Sequence, residues 1–148
     1  MTREPASQPY RRILVPFDGS PGSIKALQRA TSLAEQHNAE ITVLSVDEHT
    51  ARYAKGVGEV DEEEDLRKSY FEQLRRQAEA LAREQGAELK IETAVGHAAQ
   101  SILQFIEERG VDLIVIGHSG HSGIWGTLLG STATRVVDRA TCDVLVVR

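Results

Sequence analysis

Val-Asp-Leu-Ile-Val-Ile-Gly-His-Ser-Gly-His-Ser-Gly-Ile-Trp-Gly-Thr-Leu-Leu-Gly-Ser-Thr-Ala-Thr, residues Val111 to Thr134, decides how this chain folds. Leu113 to Ile116 form an unbroken apolar, β-branched run, the mark of a strand covered on both faces in the middle of a parallel sheet. Gly117 ends the run, glycines follow at 120, 123, 126 and 130, and Gly130 leads through Ser131 and Thr132 into a helical pattern. Glycine has no Cβ to hold other atoms away and tolerates positive φ, so such a loop exposes backbone N–H groups. Between a buried strand and a helix N-terminus, the natural guest of those groups is an anion such as phosphate.

The spacing narrows the kind of loop. A Walker A loop needs Gly-Lys-Ser or Gly-Lys-Thr, and neither occurs anywhere in the chain. The dinucleotide fingerprint, with two glycines one residue apart, is also missing here. What stands is Gly117-x-x-Gly120, nine residues, then Gly130-Ser131. Together with the opening Ile-Leu-Val-Pro-Phe-Asp-Gly-Ser (Ile13 to Ser20) and the closing Cys-Asp-Val-Leu-Val-Val (Cys142 to Val147), this arrangement resembles the universal stress protein family in its ATP-binding branch. The resemblance runs from about Arg12 to Arg148.

Composition sets outer bounds. The chain has 148 residues, which fits one domain, with 41% hydrophobic and 26% charged residues, as in ordinary soluble proteins. A net charge of -5 gives no electrostatic support for general affinity to nucleic acid or acidic membranes. The sequence has neither a membrane-length apolar run nor an apolar signal core, and the expected location is the cytoplasm. A single Cys142 at the edge of an apolar strand agrees with a reducing compartment and with a small packed side chain.

Residues 1–9, with two prolines and no periodicity, are expected to be a flexible tail, and 10–148 the domain. Arg12 to Val15 reads as a strand closed by Pro16. Asp18-Gly19-Ser20 then turns into a helix capped by Ser20, with Pro21 at its first position. Glu40 to Val46 is the second strand, and Asp47 to Asp65 is expected to be an irregular loop ending in an acidic run that sits at the start of the next helix, where negative charge suits the dipole. A helix from about Asp65 to Gln85 carries Leu66, Tyr70, Leu74, Ala78 and Leu81 along one stripe. Glu88 to Val95, a helix from His97 to Gly110, the central strand, a helix carrying Ala133, Val136, Val137 and Ala140, and the strand Asp143 to Val147 complete the chain. Strands alternating with helices make an α/β, doubly wound, five-stranded parallel sheet. The resemblance implies the order 3-2-1-4-5 of a Rossmann-like nucleotide-binding fold.

That order opens a crevice between the first and fourth strands. It sets Pro16, Asp18 and Gly19 opposite Gly117 and Gly120. Asp18 is a candidate for ribose hydroxyls or the adenine amine, or is only the cap of its turn. Val46 matches the family position that contacts adenine through its backbone, and is equally explained as core. Gly117, Gly120, Gly130, Ser131 and Thr132 are the phosphate candidates, with an ordinary N-cap as the plain alternative for the two hydroxyls. His118 is added as a phosphate contact. It stands three residues before His121, a spacing that admits a metal, but no carboxylate or Cys accompanies them in the loop. His97 is a site-edge residue, and Trp125 a hydrophobic lid or contact.

The stretch from Gly120 to Gly130 contains no Lys or Arg, where many relatives carry a basic residue. Phosphate charge must then be offset by backbone dipoles, by Mg²⁺ or by a residue such as Arg135. The sequence has no Gly-x-Ser-x-Gly elbow, and its one Cys has no evident base. The implied function is an ATP-binding, nucleotide-dependent stress-response regulator whose occupied state is read by a regulatory protein partner. The alternatives are a dimeric interaction module that binds no nucleotide and a slow ATP hydrolase. The apolar closing strand 143–147, an unguarded sheet edge, is the expected seam of a homodimer, which the family resemblance also implies.

Overall fold

A computed structural model of the chain describes residues 9–48, 57–119 and 128–148, with residues 57–61 described by their backbone alone. Five strands are β1 (Arg12–Pro16), β2 (Glu40–Asp47), β3 (Leu89–Val95), β4 (Leu113–Gly117) and β5 (Asp143–Val147). The helices are α1 (Pro21–His37), α2 (Val57–Glu84), α3 (Ala98–Arg109) and α4 (Ser131–Arg139). The strands form one sheet in the order β3-β2-β1-β4-β5, and every neighbouring pair is parallel. The doubly wound order 3-2-1-4-5 is therefore observed.

Residue alternation along the strands explains why helices cover both faces. Ile13 and Val15 of β1, Val43 of β2 and Leu113 and Val115 of β4 join Leu27, Ala30, Leu74 and Ala78 in a core between the sheet and α1/α2. Leu14, Leu44, Ile114 and Ile116 point to the opposite face, where Ile102 and Ile106 of α3 and Ala133 and Val136 of α4 complete a second core. Successive side chains of a strand face opposite ways, so a central strand with a core on each side must be apolar throughout.

The start of α1 follows its sequence. Ser20 is the N-cap, its hydroxyl accepting from the Ser23 N–H at 3.2 Å, and Pro21 opens the helix. At its far end Asn38 takes a left-handed conformation with φ 54°.

α2 departs from expectation. It begins at Val57, about two turns before Asp65, so the acidic run expected at the start of this helix lies wholly within it and the loop is shorter than expected. Glu is a good helix former, and negative charge suits a helix N-terminal half, where Glu64 also pairs with Lys68 at 3.3 Å. Residues 49–56 of the expected loop, and residues 1–8 of the expected tail, lie outside the described residues. The predicted apolar stripe holds only in its second half: Leu74 and Ala78 are buried, whereas Leu66 is 73% exposed and Tyr70 45%. The reason is length. At 28 residues α2 is about 42 Å long, against about 26 Å for the 8-residue β2, so its N-terminal turns overhang the carboxyl end of the sheet. In α4, Val137 is likewise exposed rather than inward, while Ala133 and Val136 carry the packing.

Candidate functional site

β1 and β4 pair only at Ile13 with Leu113 and Leu14 with Ile114. Beyond that point β1 ends at Pro16, which has no N–H to donate, and the Phe17 N–H turns away to the Leu44 carbonyl of β2 at 2.9 Å. The two strands part where the winding reverses, and a cleft of about 470 Å³ opens there. Pro16, Asp18, Val46, Gly117, His118, Gly130, Ser131 and Thr132, all expected in one site, do line this cleft. Gly19 does not line it; its positive φ of 77° makes the turn beneath, and a Cβ there would lie 2.9 Å from Leu74. Gly120 lies outside the described residues, as do His121, Gly123, Trp125 and Gly126.

Each wall has a local cause. Asp18 Oδ1 accepts from the Ser20 N–H at 3.0 Å, so its carboxylate helps to build the turn into α1. Across the gap, the His118 N–H donates to the Val147 carbonyl and the His118 carbonyl accepts from the Gly130 N–H, each at 2.8 Å. One residue thus ties the end of β4 to β5 and to the start of α4. The N-cap of α4 is Gly130 itself, with no side-chain cap. Ser131 and Thr132 are the first two helical residues, so the ordinary N-cap role does not fall to their hydroxyls. The first N–H groups of an α-helix have no partner within it, and those of α4 open on the cleft.

Gly117 and Gly130 do not use the positive φ that a glycine loop allows. Gly117 is required for another reason. A Cβ on it would stand 2.7 Å from the backbone of Gly22 in α1, and a Cβ on Gly22 would collide with the Ser119 carbonyl oxygen. Two glycines therefore let the first turn of α1 press against the end of β4, forming the floor of the cleft. The sequence reading named one of this pair and missed the other.

It also missed Glu48, Tyr70, Ala98 and Ile102, which line the cleft from β2, α2 and α3. Tyr70, which its spacing places on the apolar stripe of α2, instead reaches the Asp18 carbonyl with its hydroxyl at 3.4 Å. Burial first and the Asp18 carboxylate second raise its pKa, which keeps the phenol a proton donor. Glu48 Oε1 accepts from the Ala98 N–H at 3.0 Å, and so caps α3, whose own N-cap residue His97 supplies no side-chain bond. No motif marks such residues, because they meet only through crossovers. Their signal was position: Glu48 and Ala98 flank strand ends that share one side of the sheet.

Two candidates lie elsewhere. His97 and Arg135 line a groove between α3 and α4, with Arg139 and Gln104, and not the cleft. The described lining of the cleft contains no Lys or Arg; Asp18 and Glu48 are its carboxylates. The Cys142 thiol is half-buried and its pKa is raised, chiefly by that burial, which fits a packing role.

A single parallel α/β sheet with its cleft at the point of strand reversal defines a doubly wound, crevice-binding class of protein. Residues 9–148 match the universal stress protein family, to which the chain belongs. It is 35% identical over 142 residues to a universal stress protein of Methanocaldococcus jannaschii, covering 94% of this chain and 82% of that one. Among solved structures, the universal stress protein UspA from Lactobacillus plantarum superposes with a TM-score of 0.81 at 31% identity, covering 94% of this chain and 98% of that one. A universal stress protein crystallised in complex with cAMP gives a TM-score of 0.72 at 27% identity, covering 94% of this chain and 97% of its own. Among the described residues, no helix is long and apolar enough to cross a membrane.

Proposed function

We propose that this chain is an ATP-binding universal stress protein, a cytoplasmic nucleotide-dependent regulator whose occupied state is read by a protein partner. The observation that carries the reading is the cleft at the strand reversal, with the uncapped N-terminus of α4 opening on it. Helix N–H groups and dipole favour a phosphate at Gly130, Ser131 and Thr132. Gly117 and His118 flank that position, and Gly120 is assigned to it from its place in the loop. Asp18 with Pro16 forms the opposite wall, facing the ribose, and Gly19 makes the turn beneath it. Leu44, Val46 and Ile102 give an apolar surface for the base. The relative bound to cAMP supports an adenine nucleotide as the ligand class.

Magnesium fits this site only as a passenger of the nucleotide. Among the described residues there is no group of three or more metal-ligating side chains. Mg²⁺ keeps several waters and is held by phosphates with one or two carboxylates, and Asp18 is the carboxylate on the wall opposite α4. With no Lys or Arg among the described residues lining the cleft, Mg²⁺ would offset charge that backbone dipoles alone balance only in part.

Equilibrium binding of ATP, AMP and cAMP to the wild type and to Gly130→Val, with and without Mg²⁺, tests the reading. A branched side chain at the cap of α4 should weaken nucleotide binding by at least about tenfold, and chelation should weaken ATP more than AMP. Equal affinities of the two proteins would reject the phosphate site, and a wild type that binds none of the three would leave the interaction-module reading in its place.

A further inference from the structure

Two helices aim their N-termini at one cleft, and they are not alike. The N-terminus of α4 is presented by Gly130 without a side-chain cap. That of α3 is already filled, because Glu48, leaving the end of β2, accepts the Ala98 N–H with Oε1. Both Glu48 and Ala98 line the cleft, next to Val46 and Ile102. Among the described residues, the second carboxylate oxygen meets no donor.

Resting on the nucleotide reading above, we propose that Glu48 is a specificity-determining residue: it bars the ligand's anionic end from α3 and selects a purine with an amino group at the 6-position. The reasoning is electrostatic. An unoccupied helix N-terminus attracts phosphate, and two of them in one cleft would allow two opposite ligand orientations. A carboxylate on α3 removes one, so the anionic tail goes to α4 and the base to the apolar wall beside Glu48. A carboxylate only accepts hydrogen bonds. It is therefore matched by the 6-amino group of adenine and opposed by the 6-carbonyl oxygen of hypoxanthine or guanine. A hydrogen bond to a charged group corresponds to roughly ten- to a hundredfold in affinity.

ATP and inosine triphosphate, whose difference lies at the 6-position and its neighbouring ring nitrogen, are titrated with Mg²⁺ into wild type, Glu48→Gln and Glu48→Ala, with inorganic tripolyphosphate as the anion probe. The wild type should prefer ATP by about tenfold or more. In Glu48→Gln the amide oxygen can still cap α3 while the NH₂ group faces the cleft, so the preference should narrow at least about fivefold. In Glu48→Ala it should vanish, and tripolyphosphate should bind more tightly than to the wild type. If ATP binds the wild type but the ATP-to-inosine ratio is the same in all three proteins, Glu48 is only a cap and the inference is overturned while the nucleotide reading survives. If the wild type binds neither nucleotide, both fall. Thermal unfolding of each variant separates a lost helix cap, which lowers the melting temperature, from a change in base choice, which a cap alone does not move.

Discussion

Gly22 and Gly117 show what a single missing methyl permits. Their backbones touch because neither carries a Cβ, and the floor of the cleft is that contact. Gly22→Ala should push the Ser119 carbonyl away, destabilise the fold by about 1–3 kcal/mol and weaken ATP binding in the same variant. Denaturant melts and titration of one preparation check both effects, and an alanine accommodated without either loss would show that the floor can shift. Gly86→Ala is the contrasting control, since a Cβ there meets nothing within 4 Å while its φ of 66°, unlike the backbone of Gly22, is strained for alanine. Strain alone should therefore cost stability in the control and leave nucleotide affinity unchanged.

Among the elements, α2 links the sheet to the cleft. Its packing residues Leu74 and Ala78 hold it on the sheet, and its overhanging turns bring Tyr70 to the cleft wall. One ion pair fixes that overhang: Arg67 Nε lies 2.9 Å from the mostly buried Asp47 carboxylate at the end of β2. Asp47 immediately precedes Glu48, so the same pair holds the strand end from which the α3 cap departs. Arg67→Met should lower stability by about 1–3 kcal/mol, because a largely desolvated carboxylate loses a charged hydrogen-bond partner. Hydrogen exchange should also quicken in the first turns of α2 before it does in α1. Unchanged exchange there would mean that the apolar contacts suffice.

For the whole molecule, the feature that governs assembly is the sheet edge. β5 is an outer strand whose Val144, Leu145 and Val146 are only half-buried, and among the described residues no strand pairs with its far side. A second copy related by a two-fold axis would bury that row and pair its free backbone groups. Sedimentation velocity should therefore find a dimer, and Val146→Lys should yield a monomer that still unfolds cooperatively. A wild type that remains monomeric at about 100 μM would reject the seam, as the weakest specific interfaces dissociate in that range.

The strands and helices and their succession were legible in the chain because they depend on local chemistry, whereas the strand order 3-2-1-4-5 was implied by the family resemblance. Unbroken apolar runs such as Leu113 to Ile116 read as central strands, Ser20-Pro21 reads as a helix start, and the glycines after Ile116 announce a loop made for close approach. Local chemistry also fixed one side of the cleft, since Gly117, Gly130, Ser131 and Thr132 are neighbours in sequence. Tertiary structure alone decided the remainder. Gly22 against Ser119, Glu48 on Ala98, Tyr70 over Asp18 and the removal of Arg135 to another groove are contacts between elements far apart along the chain. Periodicity reports which face of a helix is apolar, but how far that helix projects past the sheet is settled by the lengths of the strands it crosses, and no single segment carries that comparison.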